Sequence, residues 1–364
     1  YEPDLPLRPG TRRPDPDWEA HGCILDAGPD YWGRRVILAK HFGHLDEESD
    51  TDQLDLLTYL LESGSDRIGA LDFQESAREY VPRERDHGAS LEQLMAAADD
   101  IQAGRPVPPA LESIFFHGTS IGGARPKALL DHGDRRLIAK FSRANDDYPM
   151  VKGEAIAMHL AAAAGLNVAR TEFRSVAGRD TLLVERFDRG PGGIRRAMVS
   201  ALTMMHRRPF GDRRPTYPEF ADLIRRRFTD PDATLRELFG RIVFSVIVGN
   251  TDDHGRNHAA FWDGTSLTLT PGYDIGPQPR NTGEADQGMA IDRNGDRRSR
   301  LEVCVRAAPI YHLSEEDALE IVDHQLEVVR SGFEAAADLA EATEVERNQL
   351  WSGSFLNPSI FYSA

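Results

Sequence analysis

Residues 244–276 read FSVIVGNTDDHGRNHAAFWDGTSLTLTPGYDIG. An apolar run breaks into a dense polar loop, a hairpin pattern follows, and a short turn ends on a single aspartate. The loop sets Asp252 and Asn257 five positions apart, and Asp274 returns after the hairpin. Phosphoryl transfer to a hydroxyl needs an aspartate to meet that hydroxyl, and oxygen ligands to hold magnesium on the phosphates. Kinase catalytic loops place an aspartate, an asparagine five residues on and a later aspartate in this order. The spacing therefore predicts an ATP-dependent kinase loop. A capping turn rich in Asn and Asp can imitate it, so the rest of the chain must supply the remaining parts.

Upstream, residues 113–131 (SIFFHGTSIGGARPKALLD) carry Gly118, Gly122 and Gly123, with Ser120 between them and Ala124 and Lys127 after. Glycines let backbone N–H groups approach phosphate oxygens without a side chain in the way. A Gly-Gly pair before a strand is also an ordinary hairpin turn, and no Walker A motif is present. RRLIAKFS alternates as a strand with Lys140 near its end, and VKGEAIAMHLAAAAG is an alanine-rich helix with Glu154 in its first turn. Each alone has a bland reading, as a solvated strand lysine or a helix-dipole carboxylate. Together they form the Lys–Glu order that positions phosphates in kinases. TLLVERFD reads as a buried strand ending in polar residues, the place where a two-lobed phosphotransferase would offer hinge backbone groups to adenine.

Other stretches organise the chain around these parts. LDLLTYLLESG and SLEQLMAAADDIQAG read as helices, DRIGALDF as a short strand entering a loop, and Pro106, Pro108 and Pro109 as a linker. AMVSALTMM, YPEFADLIRRRF and LRELFGRIVFSVIVGN read as helices, the last a core helix that delivers the polar loop. Asp263-Gly264 marks the hairpin, and residues 313–340 read as two acidic amphipathic helices. His254 and His258 lie in a loop without an HExxH glutamate, so zinc is not expected. Residues 292–296 (DRNGD) open like an EF-hand loop, but Arg297 and Val303 stand where Gly and Glu are required, so a turn is expected.

Composition sets outer bounds. At 364 residues with 40% hydrophobic content, the chain can bury more than one core. No apolar run reaches the roughly 18–20 residues of a membrane span. The chain opens without Met and without a signal-peptide layout, and reads as a trimmed one. Cys23 and Cys304 are far apart and lack CxxC spacing, which fits a reducing cytoplasm better than a disulfide framework. A net charge of −16 argues against non-specific nucleic-acid binding by this chain alone, so any DNA contact would need a basic patch or partner.

The set SIGGARPKALL, LIAKFS, GEAIAMHLAAAAGLNV, LLVERFDR, GNTDDHGRN and PGYDIG resembles the HipA-type serine/threonine kinase toxins of bacterial type II toxin–antitoxin systems. DRIGALDF resembles the end of that family's N-terminal subdomain. The resemblance implies an α+β, two-lobed, protein-kinase-like fold. Residues 1–110 would be an N-terminal packing or docking subdomain, 111–190 a mixed lobe with β-sheet, Gly-rich loop and hinge, and 191–364 a mainly helical lobe with the catalytic and metal-binding loops. It implies Asp252 as the catalytic aspartate, with Asn257 and Asp274 as magnesium ligands. Gly122, Gly123, Ala124, Lys127, Lys140, Glu185 and Phe187 would bind ATP, supported by Glu154 and His254. Ser120 stands at the position such kinases autophosphorylate to silence themselves. The implied protein substrate is an aminoacyl-tRNA synthetase, and the implied partners are a HipB-type helix-turn-helix antitoxin and, through it, operator DNA. Two alternatives stay open at this level: a kinase of the same fold with another substrate, and a catalytically silent corepressor.

Overall fold

A computed structural model describes residues 5, 8–16, 18–42, 50–83, 89–105, 125–143, 146–208, 214–280 and 283–362. The chain divides into two compact units, one of residues 1–144 and 175–198, the other of residues 145–174 and 199–364.

In the first unit, helices α1 (Gly22–Asp26), α2 (Tyr31–Phe42), α3 (Leu56–Glu62) and α4 (Leu91–Gln102) precede the strands. Helix α4 starts from a reciprocal capping box, Ser90 and Gln93 each satisfying the other's backbone N–H. Strands β1 (Lys127–His132), β2 (Arg135–Phe141), β3 (Thr171–Val176) and β4 (Arg179–Glu185) form a sheet in the order β1-β2-β4-β3. The β1–β2 and β2–β4 pairs are antiparallel. Directly opposed residues share a face, so register sorts the side chains. Ala128, Leu137, Ala139, Phe141 and Leu183 fall on one face and bury against Trp32 and Val36 of α2 and Leu94, Ala98 and Ile101 of α4. The other face carries Leu129, Ile138, Leu182 and Val184 together with Lys127 and Lys140.

Residues 66–73 are not the strand that DRIGALDF suggested. Arg67 is fully buried and turns inward, donating to the carbonyls of Leu60 and Ser63 at the end of α3, with Asp72 3.1 Å from its Nε. A cation capping the carbonyl end of a helix outweighs weak β-propensity here. The backbone so held feeds a second ion network. Arg186 bonds Asp188 and Asp66, Arg189 bonds the same two carboxylates, and the Gly69 amide donates to Asp188 Oδ2 at 2.8 Å.

The second unit is mainly helical: α5 (Met150–Ala163), α6 (Ala201–Met204), α7 (Tyr217–Arg227), α8 (Pro231–Val248), α9 (Leu301–Ala307), α10 (Glu315–Leu339) and α11 (Glu344–Gly353). Helix α8 is its axis. Asp230 caps it, Pro231 occupies the first turn, and every residue from Leu238 to Val248 is buried. A helix buried all round, with only Arg241 and Ser245 polar in that run, belongs in a core, where each large apolar side chain contributes about 1.5–3 kcal/mol. Residues 313–340 form one helix, α10, and not two. Gly332 at its middle is a packing site: a Cβ there would lie 2.9 Å from Leu160 of α5. Residues 198–204 are likewise only half helical, because Met198–Ser200 is strand β5, which joins β6 (Ala259–Trp262) and β7 (Leu267–Leu269) in a three-stranded sheet. The DRNGD turn closes on Asp292, whose carboxylate accepts the amides of Asn294 and Asp296 at 2.9 Å.

Candidate active site

The polar loop begins where α8 must end. Gly249 is left-handed (φ 75°), and a Cβ on it would sit 2.8 Å from the Ser354 carbonyl oxygen. The Asn250 amide closes back on Ser245 O, and Gln278 N donates to Gly249 O at 2.9 Å. From there exposure alternates: Asp252, His254 and Arg256 face solvent, while Asp253, Gly255 and Asn257 are buried. The two neighbouring aspartates are thus separated by the backbone. Asp253 accepts hydrogen bonds from Tyr217 Oη at 2.5 Å and from His258 Nε2 at 3.0 Å. Burial alone would raise its carboxyl, but His258 and the Tyr217 hydroxyl overcome that and hold it below the ordinary carboxylate value.

Asp252 behaves in the opposite way. Desolvation raises its carboxyl, the charges of Asp274 and Asp253 add to the rise, and His254 opposes it. Asp274 therefore acts electrostatically on Asp252, as the return of the chain after the hairpin requires. Its backbone is left-handed (φ 61°), a conformation that aspartate tolerates better than most residues. Tyr273 Oη anchors the same turn by donating to Arg256 O at 2.6 Å. The side-chain oxygens of Asn257 and Asp274 are the ligand type that suits a hard divalent cation.

The expected site residues divide between the units. Asp252, His254, Asn257 and Asp274 share one loop system in the second unit, and Glu154 is buried in α5, one turn further in than the sequence suggested, because the helix already begins at Met150. Lys127, Lys140, Glu185 and Phe187 belong to the first unit. Lys127 and Lys140 are register partners on neighbouring strands, so their side chains leave the same face about 5 Å apart at Cβ. Lys127 is more than a loop-end residue, being a buried member of β1. Leu129, Ile138, Leu182 and Val184 give that face an apolar floor. Gly122, Gly123, Ala124 and Ser120 lie outside the described residues. Sequence reasoning assigned nothing to Asp253, His258 and Tyr217. The one available signal was a second spacing of five, from Asp253 to His258, shifted by one from the pair already noted.

Among curated proteins, the chain is 34% identical over 132 residues to Y4mE, a provisionally named kinase of Sinorhizobium fredii, covering 34% of this chain and 31% of that protein. It is 27% identical over 208 residues to the serine/threonine-protein kinase toxin HipA of Shewanella oneidensis, covering 49% of this chain and 47% of that protein. The chain thus spans between about a third and a half of the length of these relatives. Among solved structures, it matches a chain of the Shewanella oneidensis HipA, HipB and operator DNA complex with a TM-score of 0.67 at 19% identity, over 90% of this chain and 82% of that one. That likeness establishes the α+β kinase-like fold. Residues 119–333, well over half of the chain, match the HipA-like C-terminal domain, and the chain belongs to that family.

Proposed function

We propose that this chain is a magnesium- and ATP-dependent serine/threonine protein kinase, the toxin of a HipBA-like toxin–antitoxin module. One observation carries the proposal: exposed Asp252 stands five residues before buried Asn257 in a loop whose alternate residues are buried, and the Asp274 charge acts on it. A raised carboxyl is a better base, so Asp252 orients the acceptor hydroxyl and takes its proton as the hydroxyl oxygen bonds the γ-phosphorus and the bond to ADP breaks. Asn257 and Asp274 would hold the metal through oxygen. When bound, magnesium offsets phosphate charge and aligns the transferring group. Lys127 and Lys140 meet the phosphates, the apolar face beside them takes the base, and the backbone at Glu185 and Phe187 offers hinge hydrogen bonds. Glu154 and His254 support the phosphate lysine and Asp252 respectively.

The acceptor and the partners rest on family resemblance. A serine of an aminoacyl-tRNA synthetase is the proposed acceptor, with arrest of translation as the outcome. A HipB-type antitoxin is the proposed partner, carrying the pair onto operator DNA, as in the assembly that the fold matches. Ser120 is proposed as the off switch, since a phosphate there adds about −1.5 to −2 charge beside the nucleotide phosphates. Two buried thiols, Cys23 and Cys304, fit a reducing cytoplasm.

The test is phosphate transfer from radiolabelled ATP with magnesium, comparing wild type with Asp252→Asn and using purified aminoacyl-tRNA synthetases as acceptors. Label should enter a synthetase with wild type alone, and Ser120→Ala should lose self-labelling while keeping transfer. Equal label from wild type and Asp252→Asn would overturn the kinase proposal. In the same preparation, an operator fragment should be retained only when a basic helix-turn-helix partner is added, because the chain carries −16.

A further inference from the structure

The geometry points to the buried trio Asp253, His258 and Tyr217 as a positioning clamp that sets the distance between Asp252 and Asn257. Asp253 is the neighbour of Asp252, and His258 is the neighbour of Asn257. The bond from His258 Nε2 to Asp253 Oδ2, 3.0 Å, therefore spans the same five-residue interval as the functional pair, displaced by one. Both side chains are nearly closed to solvent, at 3% and 5% exposure. Tyr217 is fully buried in the first turn of α7 and donates to the same carboxylate oxygen at 2.5 Å. The His258 ring stands edge-on to Tyr217 (5.9 Å, 84°) and packs on Phe220 (5.9 Å) of the same helix.

The backbone is held as tightly. Leu202 N donates to Gly255 O and Ala201 N to His258 O, each at 2.8 Å, and Asn257 N closes on His254 O at 2.8 Å. Gly288 lies so close that a Cβ there would stand 2.2 Å from Asp253 O. Packing alone does not explain the trio. A carboxylate taken out of water costs stability unless its partners are well placed, and apolar side chains of similar volume would fill the space at least as well. What apolar packing cannot do is tie position 253 to position 258 with a directional bond. The clamp leaves Asp252 exposed and Asn257 buried, and ties down the residue next to each. These are positioning residues, acting through their neighbours, and the assignment rests on the kinase reading of Asp252 and Asn257.

Three variants test it. Gln carries an amide nitrogen near the place of imidazole Nε2, whereas Leu fills similar space and donates nothing, so His258→Gln is compared with His258→Leu. Tyr217→Phe removes one hydroxyl with least risk to folding. Phosphate transfer is measured per folded molecule, and Mn2+ affinity is measured by electron paramagnetic resonance with a non-hydrolysable ATP analogue. His258→Leu should lose about 10–100-fold in kcat and a similar factor in Mn2+ affinity, with KM for the protein acceptor unchanged. His258→Gln should recover most of both, and Tyr217→Phe should fall between. If His258→Leu and His258→Gln match each other in kcat and Mn2+ affinity and differ only in melting temperature, the clamp is refuted. If wild type transfers no phosphate, the kinase proposal fails, and the Mn2+ comparison still judges the clamp.

Discussion

Asp274 is held at φ 61°, in a region that costs most side chains of order 1–3 kcal/mol. Asparagine tolerates the same backbone, so charge and conformation can be separated at this position. Asp274→Asn should melt with wild type in the absence of nucleotide, yet lose magnesium-dependent transfer and the magnesium-dependent part of stabilisation by ATP. Asp274→Ala should lose both and also melt lower, by about 1 kcal/mol of stability. Differential scanning fluorimetry with and without Mg·ATP separates the cases, and an Asp274→Asn protein that still responds to magnesium would remove Asp274 from the metal site. The aspartate itself was legible from its place after the hairpin. Its left-handed backbone was not, because aspartate occurs in many conformations. Spacing picked Asp252 over Asp253, but the role of Asp253 was hidden: its partner Tyr217 lies 36 positions away, and nothing local to the loop points to it.

Elements with their own punctuation could be read from the chain. Helix α4 has its capping box, α8 has Asp230-Pro231 at one end and Gly249 at the other, and the β6–β7 hairpin has Asp263-Gly264. Those whose limits come from distant contacts could not. Residues 313–340 read as two helices and form one, with Gly332 packed against Leu160, while Arg67 keeps residues 66–73 out of any strand by capping α3. Strand register also escaped the sequence, and it changes the weight given to Lys127. Because Lys127 and Lys140 are opposed across β1 and β2, a polyanion that meets one meets both. Lys127→Met and Lys140→Met should therefore reduce thermal stabilisation by Mg·ATP to a similar degree. A Lys127→Met protein that keeps the full response would show that only β2 faces the phosphates.

The first unit is assembled from two stretches of chain, 1–144 and 175–198, and the Asp66, Arg186, Asp188 and Arg189 network joins them. Arg186 and Asp188 were visible within the LVERFDR motif, but their partners stand about 120 positions upstream, so their purpose was not. Burial pushes the Asp188 carboxyl up, and Arg186, Arg189 and the Gly69 amide more than reverse it, leaving it below its ordinary value. Its folded pKa thus lies below its unfolded pKa of about 3.9. By linkage the stabilisation is complete above that unfolded value and is lost as pH falls through the folded one. Asp188→Asn should cost about 3–5 kcal/mol at neutral pH, the penalty of leaving buried arginines short of a partner. Below about pH 4 the wild type begins to lose the same contribution, so the gap between the two proteins should narrow steadily with acid. Urea unfolding at neutral pH and at steps below pH 4, followed on both proteins, measures that gap. A gap that stays constant into acid would mean that Asp188 holds the two stretches together by shape and not by charge.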